Sequence, residues 1–114
     1  MKFLYKNKEI EDKIKNIDSV REWSKSIKKS LYKILMYLDS ANNFKEMLNP
    51  KRFGLHHLYS NRIDEWAMKI DSNYILTFSL CNDDGNVITD KDCVNIASTI
   101  KILLIKEVSN HYAK

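Results

Sequence analysis

Around Pro50 the hydrophobic pattern of this chain changes period, and that change restricts what it can fold into. Before it, Val20, Trp23, Ile27, Leu31, Ile34, Leu35 and Leu38 recur three and four residues apart, which places them on one face of a helix running to about Asn42. Such a face must be buried. After Pro50 the pattern alternates. Leu55 to Tyr59 is strand-like, Trp66, Met68 and Ile70 fall on one side of a following strand, and Tyr74, Leu76, Phe78 and Leu80 on one side of another. Thr99 to Val108 is almost continuously apolar and predicts a strand inside the sheet. Helices first and strands after make the fold class α+β, an antiparallel meander with an amphipathic helix laid on one face.

Local chemistry refines this outline. Met1 to Lys6 alternates as a short N-terminal strand, and Ile10, Ile14 and Ile17 recur at helical spacing. Ser19 and Glu22 have capping-box spacing, which puts the start of the long helix there. Asn43 and Glu46 cap a further short turn before Pro50, whose ring and missing N–H stop a helix. Short turns are expected at Ser60 to Asp64 and at Asp71 to Asn73, and Asn82-Asp83-Asp84-Gly85-Asn86 is turn chemistry. Val87 to Ser98 reads as an excursion with a helical turn. With only two glycines, one proline and no repeat or linker, residues 1–114 are expected to form one domain around one core.

Charge and cysteine usage narrow the setting. Lys and Arg outnumber Asp and Glu by 19 to 15, a net charge of +4 that favours polyanions only mildly. Lys25, Lys29 and Lys33 project opposite the apolar face of the long helix, with Lys28 on a flank, and read as a solvated face. The apolar run Ile102 to Ile105 is far short of the roughly 20 residues that cross a bilayer. The opening MKFLYKNKEIEDK turns charged too soon for a signal peptide, so the expected location is cytoplasmic, with no membrane partner. Cys81 and Cys93 form no CxxC pair and are expected as free thiols. His56, His57, Cys81, Cys93 and His111 lack the ligand spacing of a zinc site.

The words NPKRFGLHHLYSNRIDEWAMKIDSNYILTF, Asn49 to Phe78, and IKILLIKEVSNHY, Ile100 to Tyr112, carry a family resemblance. In order they give a proline-led loop, a His followed shortly by Leu, an Arg-bearing turn, a Trp-containing strand, an Asn-aromatic strand ending in Phe, and a closing strand with a terminal His and aromatic pair. This order resembles the HigB branch of the RelE/ParE toxin superfamily, the plasmid maintenance killer proteins, over nearly the whole chain. The helix leading through LYKILMYLDSANNFKEMLNP is also similar. The excursion at Val87 to Ser98 is longer than in compact members.

The resemblance implies a RelE/ParE-like antiparallel sheet, a short N-terminal strand plus a C-terminal meander, with two helices on one face. It implies the toxin of a type II toxin–antitoxin system, a ribosome-dependent mRNA endoribonuclease that needs no metal or other cofactor. It implies as partners the ribosome, its mRNA and a cognate helix-turn-helix antitoxin of HigA-like type. By position in the family's words, His56 and His111 become the candidates for proton transfer, a task that suits an imidazole titrating near neutrality, with Tyr112 beside His111. Ile75 falls where the family places a phosphate-binding arginine. That charge would have to come from elsewhere, with Arg62 a candidate for the catalytic role and Arg52 and Lys69 for contacts to RNA. His57 follows His56 on a strand, so alternation sends the two to opposite faces; it too is a candidate RNA contact. The departure at Ile75 keeps open a non-nucleolytic reading, a gyrase-binding toxin like those of the ParE branch or an attenuated binding protein of the same fold.

Overall fold

Asn7 opens the first helix, its side-chain oxygen accepting a hydrogen bond from the Ile10 backbone N–H at 2.9 Å. In the computed structural model, which describes residues 1–58, 64–89 and 93–110, this helix, α1, spans Lys8–Lys15. Acids in its first turn and lysines in its last complement the helix dipole, and it buries Ile10 and Ile14. Ile17, the third residue of that apolar set, is buried from a 3-10 turn at Ile17–Ser19.

The long helix, α2, spans Lys25–Ser40, starting later than the Ser19/Glu22 spacing predicted. Ser24 is the N-cap, its hydroxyl accepting from the Ile27 N–H at 3.2 Å. The capping box is not used because Ser19 belongs to the 3-10 turn and Glu22 accepts from the Lys13 ammonium at 2.9 Å. Val20 and Trp23 are buried even so, from irregular chain that carries their side chains inward. A short helix α3, Lys45–Leu48, follows with the Glu46 N–H bonded to the Asn43 side chain at 3.2 Å, as its sequence predicted.

Five strands form one sheet. They are β1 (Lys2–Tyr5), β2 (His56–His57), β3 (Trp66–Lys69), β4 (Tyr74–Cys81) and β5 (Ile102–Asn110), in the spatial order β1-β5-β4-β3-β2. From β2 through β5 the pairing is antiparallel, while β1 lies parallel to β5 with Phe3 opposite Leu103. The last strand is interior, as its continuous apolar run implied. The strand read at Leu55 to Tyr59 is shorter, only His56–His57 among the described residues. Between Thr77 and Phe78 the register with β5 shifts: Thr77 faces Glu107 and Phe78 faces Ile105, so Lys106 is the extra residue of a bulge.

Two Asx turns and a glycine close the strand ends. Asp71 accepts from the N–H groups of Asn73 and Tyr74 at 2.7 and 2.8 Å, and Asn82 from those of Asp84 and Asn86 at 3.0 Å each. Gly85 has φ +82, a left-handed conformation that suits glycine. In the excursion the described residues include the expected helical turn, a 3-10 stretch at Ala97–Thr99.

The core lies between the helices and one sheet face. Leu31, Ile34, Leu38, Phe44 and Met47 meet Met68, Leu76, Phe78, Leu80, Leu103 and Ile105, all fully buried. Phe44 meets the Trp66 ring edge-on at 4.9 Å. Residues of β3 and β4 that alternate to the other face, Ala67, Ile75, Thr77, Ser79 and Cys81, are buried as well.

Candidate functional site

Register decides which histidine goes where. His57 lies opposite Trp66, a core residue, and stacks on its indole with ring centroids 4.6 Å apart and planes 16° from parallel. His56 lies opposite Ala67 and therefore turns to the face without the helix core. Lys69, two residues beyond Ala67 on β3, shares that face; it is exposed and lies opposite Ile75.

Gly54 ties His56 and Lys69 together. Its carbonyl oxygen is 2.8 Å from His56 Nδ1. A carbonyl can only accept, so Nδ1 carries the proton in the neutral ring and Nε2 keeps its lone pair, the arrangement a proton acceptor needs. Gly54 has φ +62, and a Cβ built on it would come within 3.0 Å of Lys69 Cγ and Cδ. The lysine stem thus runs directly over the glycine, aided by a backbone bond from the Lys69 N–H to the Phe53 carbonyl. Phe53 itself has φ 54, so two successive left-handed residues shape the loop. Sequence reading gave Gly54 no role; with hindsight its place two residues before a candidate histidine is the signal.

Ile75 is 3% exposed, flanked by Lys69 on β3 and by Ser109 on β5. Further along the same face Lys106, re-aimed by the bulge, donates to Glu65 Oε2 at 2.9 Å and lies 4.0 Å from Asp64 Oδ2. Its side chain is 18% exposed and that of Glu65 15%. Thr77 Oγ1 donates to the Glu107 carbonyl at 3.4 Å, while the buried hydroxyls of Ser79 and Ser109 have no hydrogen-bond partner among the described residues. Cys81 closes this row; burial pushes its thiol pKa up, with the nearby Lys106 charge opposing in part. The Lys106–Glu65 pair was invisible in sequence, because a lysine inside ILLIKEV gives no hint of a bulge.

The remaining candidates divide. Arg52 places its guanidinium carbon 5.9 Å from the centroid of Tyr37 on α2, so it reaches toward the helix side. Arg62, His111 and Tyr112 lie outside the described residues. The sheet therefore brings together His56 and Lys69, with Ile75 between Lys69 and Ser109.

No family model matches the sequence, and no curated protein matches it. Among solved structures, a YoeB/ParE toxin from Agrobacterium tumefaciens superposes with a TM-score of 0.57 over 98% of this chain and 100% of that one, at 9% identity. At that identity the likeness concerns the fold. The architecture, a mixed α+β chain with a five-stranded sheet and helices on one face, is a RelE/ParE-like toxin fold.

Proposed function

We propose that this protein is the toxin of a type II toxin–antitoxin pair and acts as a ribosome-dependent mRNA endoribonuclease of HigB type. One observation carries this reading: the Gly54 carbonyl lies 2.8 Å from His56 Nδ1 and the Lys69 stem runs over the same glycine, on the face of a RelE/ParE-like sheet turned away from the helix core. In the proposed reaction His56 Nε2 takes the proton of a ribose 2′-hydroxyl. The oxygen attacks the adjacent phosphorus in line, the bond from phosphorus to the next ribose 5′-oxygen breaks, and a cyclic phosphate forms. His111, with Tyr112 beside it, protonates the departing oxygen. Lys69 and Arg62 offset the charge that builds on the phosphate, the part that the resemblance gives to an arginine at position 75. Arg52 is assigned an outlying RNA contact, whereas His57, stacked on Trp66 on the helix-core side, is given none; a helix-turn-helix antitoxin restrains the toxin in its own cytoplasm.

Primer extension on translated messages after induction in a bacterial host tests this. New ends inside translated codons support it, and their loss in His56→Ala ties the cuts to the imidazole. A non-nucleolytic toxin is favoured by one observation, the apolar and buried Ile75 at the arginine position. Growth arrest with intact message and a DNA-damage response would select that reading instead.

A further inference from the structure

The two long helices treat their lysines differently. On α1 each is matched: Lys8 with Asp12 at 3.3 Å, Lys13 with Glu22 at 2.9 Å and Lys15 with Glu11 at 2.7 Å. On α2, Lys25, Lys29 and Lys33 are exposed one turn apart, and among the described residues none has an acidic partner. The helix contains no acid before Asp39. Lys28 extends the stripe and donates to the Asp18 backbone carbonyl at 2.9 Å. Large apolar side chains interrupt the lysines, with Tyr32 and Met36 each 60% exposed and one turn apart. Beside Tyr32 runs a groove of about 390 Å³, walled by Ile17, the Tyr32 ring and the lysine stems, with Asp18 at its rim.

We infer that this face of α2 is a docking surface for an acidic, amphipathic segment of a protein partner. The lysines answer carboxylates, while the groove, Tyr32 and Met36 answer apolar side chains on the same segment. An RNA backbone fits less well, since its phosphates and sugars offer nothing to an apolar groove or to the exposed Met36. The antitoxin of the proposed function is one protein that such a surface would suit, yet the inference needs no RNA cleavage and stands or falls separately.

Heteronuclear NMR of the isotope-labelled protein, titrated with a synthetic helical peptide of leucines three and four apart and glutamates between them, tests it directly. The expected shifts fall on Ile17, Tyr32, Met36 and the α2 lysines and shrink as salt is raised. Lys25→Glu with Lys29→Glu and Lys33→Glu weakens the peptide about tenfold, whereas reversing the exposed Lys2, Lys45 and Lys101 together, an equal change of net charge, leaves it within about twofold. The inference is overturned if the peptide leaves α2 unshifted, if an oligouridylate shifts α2 where the peptide does not, or if both triple variants weaken the peptide equally.

Discussion

Gly54 illustrates how much of the candidate site rests on a single backbone position. Its left-handed φ and the Lys69 stem lying where a Cβ would sit act in the same direction against any side chain. Gly54→Ala should cost about 1 to 2 kcal/mol in chemical denaturation, and RNA cleavage should fall further than the unfolded fraction explains, because the lysine must move. Cys81 makes a second residue-scale case. A raised pKa leaves less thiolate at any pH below it, and burial blocks access, so native Cys81 should alkylate far more slowly at mildly alkaline pH than in denaturant. Mass spectrometry of the labelled protein reads this, and equal labelling in both states would refute the buried placement. The split between His56 and His57 was legible in advance, because alternation on a strand demands it. The partner of each ring was not, since Gly54 and Trp66 arrive only through cross-strand register.

Among the elements, the helices show where pattern reading fails and why. The three-and-four spacing from Val20 to Leu38 named the right buried residues but ran past the true start of α2, because Val20 and Trp23 reach the core from irregular chain. Capping chemistry competed at two places, and Ser24 won over Ser19 once Glu22 was engaged by Lys13. Ser24→Ala should therefore lower stability by about 1 kcal/mol, while Ser19→Ala should stay within about 0.5 kcal/mol, as for surface changes that touch nothing. Thermal melts of the two variants decide between these starts. In the sheet, alternation located β3 and β4, and the unbroken apolar run located β5 inside. The bulge at Lys106 was not legible, because register shifts arise from pairing between distant segments.

At the scale of the whole molecule, the fold divides its chemistry between two sides. One side of the sheet carries the helices and core, and the lysine stripe of α2 lies on the outer surface of that layer. The other side carries His56, Lys69, Ile75 and the Lys106–Glu65 pair. The order of helices and strands made the α+β class readable from sequence, and the fold agrees with the RelE/ParE-like toxin architecture at a level of identity too low for residue matches alone to establish. What sequence could not supply was the meeting of β2 and β3 that sets His56 and Lys69 together. The most direct measurement is single-turnover cleavage of a ribosome-bound message by the purified protein and by His56→Ala of equal thermal stability. Cleavage is expected from the wild type, at a rate at least about a hundredfold above that of the variant. Equal rates, or an uncut message with the wild type, would contradict the proposed reaction.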